Sequence, residues 1–168
     1  LLGVLTLADV IREESKEGIA ALRALGVKVV MLTGDAEPVA SWVAEALGIK
    51  EYFARVLPKD KVQKVKELQE RGLRVAMVGD GINDAPALKR ADVGIAMSIK
   101  GTDVARDASD MVLVDDNYNS IVSAVREGRI IYDNIKKFVE YLLSSNFGEI
   151  LTIFIAIMIG LPLPLIAI

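Results

Sequence analysis

Two apolar runs in this chain each stop on a glycine–aspartate pair: VKVVMLTGD, ending at Asp35, and LRVAMVGDGIND, which carries Asp80, Asn83 and Asp84. An apolar run of this length, closed by small polar residues and followed by a proline-opened amphipathic stretch, is a strand turning into a helix. The bland reading of such a cluster is a turn, since Gly, Asn, Asp and Pro each favour turns for steric or hydrogen-bonding reasons. Two close carboxylates at a strand end nevertheless repel unless a cation holds both ionised, and hard oxygen donors suit Mg²⁺.

The alternation persists along the chain. LLGVLTLA reads as a strand and EESKEGIAALRALG as a helix with Leu22 and Leu25 on its buried side and Gly26 as its stop. The helix PVASWVAEALG, the short strand YFARV and the helix PKDKVQKVKELQERG follow, the last with Val62, Val65 and Leu68 on one face. ADVGIAM is a strand, GTDVARDAS a short helix and DMVLVDD a strand. This order predicts an α/β fold with a Rossmann-like parallel sheet. Ligands of such sheets bind beyond the carboxyl ends of the strands, where Thr33, Gly34, Asp35, Asp80 and Asp84 can converge and Lys61 can reach. A hydroxyl, a lysine and a carboxylate-held Mg²⁺ are the parts that stabilise charge on a transferring phosphoryl group. Thr33 and Gly34 are then expected to bind phosphate oxygens, Lys61 to neutralise charge and Asp80 to hold the metal. Lys61 on its own reads as an exposed helix lysine, and only the company of the two strand-end clusters points it to a site.

From NYNSIVSAVREGR onward one helix is expected to continue past Gly128, and after Glu149 no Asp, Glu, Lys or Arg occurs up to Ile168. A bilayer needs about 20 apolar residues, so this stretch predicts a transmembrane helix. Arg126, Arg129, Lys136 and Lys137 precede it, which puts the α/β part in the cytoplasm by the positive-inside rule. The expected division is residues 1–128 as the α/β domain and 129–168 as stalk and membrane helix. Asn146 and Glu149, three apart, share a helix face, and an ionisable residue inside a membrane helix is a candidate ion ligand. Their oxygens suit Ca²⁺ better than soft Cu⁺.

The net charge of −3 excludes a nucleic-acid partner, which requires a basic face. With no Cys there is no disulfide framework, and with no His there is no imidazole ligand or base. The chain opens on Leu1 and stops inside an apolar run, and is read as a piece of a longer polypeptide.

LTGD, FARVLPKDK, MVGDGINDAPAL and GTDVARDASDMVL, with LADVIREE near the start, resemble the haloacid-dehalogenase superfamily in its P-type ATPase branch. The resemblance covers essentially the whole chain. It implies the C-terminal half of a haloacid-dehalogenase-like phosphorylation domain, then the stalk and a membrane helix of a multi-pass ATP-driven cation pump. By that resemblance Thr33, Gly34, Asp35 and Lys61 bind phosphate, Asp80 coordinates Mg²⁺, and Asn83 and Asp84 support the site. It also implies ATP, bound through nucleotide-binding and actuator domains upstream of Leu1. The family's phosphorylated aspartate stands in an Asp-Lys-Thr-Gly-Thr string that does not occur here. Asp9 is rejected as its replacement because Ile11 stands where the superfamily needs Asp or Thr, so the chain alone is expected to be inactive.

Up to about Val93 the sequence resembles the heavy-metal pumps, with their short connection between TGD and the lysine motif. From GIAM onward it resembles the calcium pumps, although Ser98 stands where Gly is usual. A recombined or joined chain fits this mixture. Calcium is the leading cargo, with heavy-metal transport or a haloacid-dehalogenase-like phosphatase as alternatives.

Overall fold

In the computed structural model, residue 11 and residues 13–162 are described. The opening strand LLGVLTLA, Asp9 and Arg12 of LADVIREE, and residues 163–168 lie outside the described residues.

Helices and strands alternate as the hydrophobic pattern requires. Helix α1 (Glu13–Ala24) leads to strand β1 (Val30–Leu32), α2 (Glu37–Leu47), β2 (Glu51–Phe53) and α3 (Pro58–Glu70). Strand β3 (Ala76–Gly79), a 3-10 turn (Ile82–Asp84) and α4 (Ala85–Arg90) come next. They are followed by β4 (Val93–Met97), α5 (Asp103–Asp107), β5 (Met111–Leu113) and α6 (Tyr118–Ile159). Helix α1 opens with Glu13 and Glu14 and closes with Arg23, charges that complement its dipole. Prolines occupy the first turns of α2, α3 and α4, where a missing N–H costs nothing.

Among the described residues all pairings are parallel, in two ladders: β1 with β2, and β3–β4–β5 in that order. The α/β parallel architecture is as expected, but among the described residues no ladder bonds join β1 to β3. The two ladders have separate cores. Ile19, Ala44 and Ile49 fill one, with Met31 and Tyr52 against them. Val65, Met77, Ala87, Leu88, Ala96 and Ala105 fill the other, and Leu32 of β1 reaches it. Val65 and Leu88 are wholly buried, so truncating Leu88 to Ala costs about 3 kcal/mol.

Two expectations shift in detail. Leu25 falls beyond the end of α1 and is partly buried, and Ile19 takes the buried place beside Leu22. Strand β2 stops at Phe53 instead of running through YFARV because Arg55 adopts a left-handed φ of 52°.

The described residues up to Ser123 form one compact unit and those from Ala124 onward another. Helix α6 spans 42 residues and is the one described helix long and apolar enough to cross a membrane. Gly128 does not interrupt it.

Candidate functional site

The turn after β1 is fixed by its own side chains and by the loop that follows β2. Thr33 Oγ1 donates to Asp35 Oδ2 at 2.7 Å and accepts from the Asp35 N–H at 3.2 Å. The Val56 N–H donates to Thr33 O and the Arg55 N–H to Asp35 O, each at 2.9 Å. A left-handed non-glycine residue costs about 1–2 kcal/mol, and at Arg55 these two bonds hold it. The T-G-D turn therefore fixes the path of the chain into α3, and α3 carries Lys61 in its first turn.

Lys61 Nζ lies 2.6 Å from Asp84 Oδ1, with 18% and 9% of the two side chains exposed. Asp84 Oδ2 accepts the Gly81 N–H at 3.1 Å, so both carboxylate oxygens are engaged. This fold-back needs Gly79: a Cβ there would stand 2.6 Å from Asp84 Cβ. Asp80 is exposed, and its backbone oxygen accepts from Thr102 N–H at 2.9 Å and Thr102 Oγ1 at 3.3 Å. Among the described residues no hydrogen bond occupies its carboxylate. Asn83 is exposed on the same turn.

The structure thus joins Lys61 to Asp84, and Thr33 to Asp35. Among the described residues no hydrogen bond or ion pair links the Thr33–Asp35 turn to Asp80 or Asp84. Asn146 and Glu149 lie on α6, both exposed, in the other compact unit.

Sequence reasoning missed a set of aspartates that clamp neighbouring strands. Asp92 accepts from the Val75 N–H, Gln69 Nε2 and Arg74 at the entry to β3 and β4. These bonds, led by the Val75 N–H, hold its carboxyl well below the usual range. Asp110 Oδ2 accepts the Gly94 N–H at 2.7 Å. Asp116, beyond β5, takes three backbone N–H groups from the loop after β4. The signal available was an aspartate at each strand boundary, which reads as ordinary turn chemistry. Ser98 fits without strain, since it is not among the positive-φ residues.

Could this donor set hold Mg²⁺? Among the described residues no group of three acidic side chains gathers that could hold a metal by itself, and the exposed carboxylate of Asp80, without a hydrogen bond, is the one carboxylate of this turn left open to a cation. Mg²⁺ usually binds one or two carboxylates, with waters and substrate phosphates completing its shell.

The family model for haloacid dehalogenase-like hydrolases matches residues 1–92. Calcium-transporting ATPase 1 of Bacillus cereus is 46% identical over 191 aligned positions, covering 98% of this chain and 22% of that protein. The calcium-transporting ATPase of Bacillus subtilis is 44% identical, covering 100% and 22%. This chain therefore spans about a fifth of the length of these relatives. The aligned 191 positions exceed the chain's 168 residues, so the Bacillus cereus relative has residues with no counterpart here. Among solved structures, a zinc-transporting PIB-type ATPase superposes with a TM-score of 0.78 at 40% identity, over 87% of this chain and 24% of that one. The catalytic domain of a CPx-ATPase superposes with a TM-score of 0.65 at 35% identity, over 70% and 46%. The chain belongs to the haloacid dehalogenase-like hydrolase family, in its P-type ATPase branch.

Proposed function

We propose that this chain is the part of an ATP-driven cation pump that holds the transferring phosphate and Mg²⁺ and begins the ion path. The observation that carries the reading is the Lys61–Asp84 pair set one turn from the free carboxylate of Asp80. The backbone N–H of Gly34 offers a donor to phosphate oxygens, and the Thr33 hydroxyl, which donates to Asp35 here, becomes a second donor when it turns from Asp35 to a bound phosphate. Lys61 supplies positive charge, Asp84 holds Lys61 in place, and Asn83 supports the same turn. Asp80 would hold Mg²⁺, which when bound would supply further positive charge to the phosphate oxygens.

The nucleophile comes from a further strand. Among the described residues β1 has a free edge opposite β2, and β3 a free edge opposite β4. Leu32 of β1 already packs into the core that holds Met77 of β3. A parallel strand between these edges brings its carboxyl end between Thr33 and Asp80, where a phosphorylatable aspartate is needed. Without it the chain turns over neither ATP nor phosphate esters.

Residues 129–168 form stalk and membrane helix in this reading and residues 1–128 the cytoplasmic phosphorylation domain. The cargo is Ca²⁺. Asn146 and Glu149 offer oxygen donors one helical turn apart, the chain has neither Cys nor His, and the similar Bacillus proteins are named calcium-transporting. Heavy-metal transport is the second reading, favoured by the likeness to a zinc-transporting ATPase.

Calorimetric titration of Mg²⁺ into the full chain in detergent tests the site. Asp80→Asn is expected to weaken Mg²⁺ binding, whereas Lys61→Ala weakens binding of a phosphate analogue once the companion strand is supplied. Equal Mg²⁺ affinity in Asp80→Asn and the parent contradicts the assignment.

A further inference from the structure

Three neighbouring strands end at this site, and the loop after the middle one is held from both sides. Asp116, 8% exposed and just beyond β5, accepts the Ser98 N–H at 2.7 Å and the Ile99 N–H at 3.1 Å on Oδ1, and the Lys100 N–H at 2.9 Å on Oδ2. Arg106 closes the same loop from α5, donating to Ser98 O at 2.8 Å and Gly101 O at 2.9 Å. Gly101 is confined so tightly that a Cβ would fall 1.9 Å from Met97 O. The loop ends at Thr102, whose N–H and hydroxyl both donate to the backbone oxygen of Asp80. Its hydroxyl oxygen also accepts the Ala105 N–H at 3.3 Å, capping α5.

A buried carboxylate that takes three backbone donors is satisfied only in one loop conformation, and losing it leaves the Ile99 and Lys100 N–H groups without this partner, whereas the Ser98 N–H keeps Leu113 O at 3.0 Å. Burial alone pushes the Asp116 carboxyl up, but the N–H groups of Ile99, Lys100 and Ser98 together draw it below the usual value. The backbone at Asp116 is itself left-handed, with φ 49°, a conformation costly for most side chains and tolerated by Asp and Asn.

We infer that Asp116 is a positioning residue for Asp80: through the 98–102 loop and Thr102 it fixes the turn that presents the Asp80 carboxylate to a divalent cation. The inference rests on the reading of Asp80 as the metal ligand given above. Both carboxylate oxygens of Asp116 are taken up by backbone N–H groups, so it acts on Asp80 through backbone bonds across the loop after β4. Outer partners that orient a metal ligand typically matter to affinity even though they never meet the ion.

The test uses Mn²⁺ alone, added to the full chain in detergent, with paramagnetic broadening of the amide resonances of residues 79–84 as readout. Asp116→Asn keeps the backbone preference and one acceptor oxygen while removing the second. It is expected to lower Mn²⁺ affinity about tenfold and to speed amide exchange at Thr102. Thr102→Val, which loses the hydroxyl but keeps the N–H, is expected to lower affinity too, and Thr102→Ser to restore it. The double variant Asp116→Asn with Thr102→Val is expected to fall no further than the weaker-binding single variant, because both act along one path. If Asp116→Asn fails to fold, the contrast between Thr102→Val and Thr102→Ser decides. Parent-like affinity in Thr102→Val or in folded Asp116→Asn, or losses that add in the double variant, overturns the inference and leaves Asp80 as ligand. No broadening of residues 79–84 in the parent overturns the metal role of Asp80 itself.

Discussion

Lys61 Nζ sits 2.6 Å from Asp84 Oδ1, and that ion pair ties the helix after β2 to the turn after β3. Both side chains are largely shielded, so removing one partner leaves a poorly solvated charge. The same pair that positions Lys61 for a phosphate therefore also fastens the fold.

Lys61→Met is expected to destabilise the α/β unit by about 2 kcal/mol, a partly buried pair costing less than a fully buried one. Trp42 is the only tryptophan and lies in α2, so its fluorescence during urea unfolding reports on this unit. Lys64→Met breaks the more exposed Lys64–Glu67 pair and is expected to cost under about 0.5 kcal/mol.

Gly79→Ala places a Cβ against Asp84 and pushes its carboxylate away from Lys61. The expected result is a loss of stability of about 1–3 kcal/mol, as for other forced overpacking. Lys61→Met and Gly79→Ala should then be non-additive in the same Trp42 assay, because the second change acts on a pair already broken.

Asp92 makes stability depend on acid. Its folded carboxyl titrates below the ordinary value of 3.8, so the unfolded chain takes up the proton first as pH falls. The stabilisation is complete above that ordinary value and disappears as pH drops through the depressed folded one. Unfolding curves of Asp92→Asn are expected to show a shallower loss of stability below about pH 4 than the parent.

Much of this was legible in the sequence. Apolar runs of strand length, proline-opened helices and the charge-free stretch after Glu149 gave the order of elements, because burial and capping are local in sequence. LTGD and MVGDGIND stood out because small polar residues at strand ends are rarely so dense. What could not be read was how the strands share ladders: β1 and β3 look alike in sequence, yet their pairing depends on what lies between them. The clamps made by Asp92, Asp110 and Asp116 were hidden for another reason. Asp110 and Asp116 bond backbone N–H groups, which carry no residue identity, and Asp92 adds to such a bond two side chains, Gln69 and Arg74, far off in sequence, so nothing in the partner positions announces them.

Glu149→Gln, in a full-length pump carrying this chain, is expected to lower apparent Ca²⁺ affinity about tenfold or more by replacing a charged oxygen ligand with a neutral one. Phosphorylation from inorganic phosphate, which needs no cytoplasmic Ca²⁺ ligand, should persist. Vesicle uptake with unchanged Ca²⁺ dependence in this variant would contradict a ligand role for Glu149.

The most direct measurement is formation of an acid-stable, hydroxylamine-sensitive phosphoprotein from labelled ATP in that full-length pump, titrated separately with Ca²⁺, Zn²⁺ and Cu⁺. Phosphorylation that Ca²⁺ triggers, and that Asp80→Asn and Lys61→Ala suppress, is the expected result. Phosphorylation triggered by Zn²⁺ or Cu⁺ instead, or untouched by both substitutions, would contradict the account.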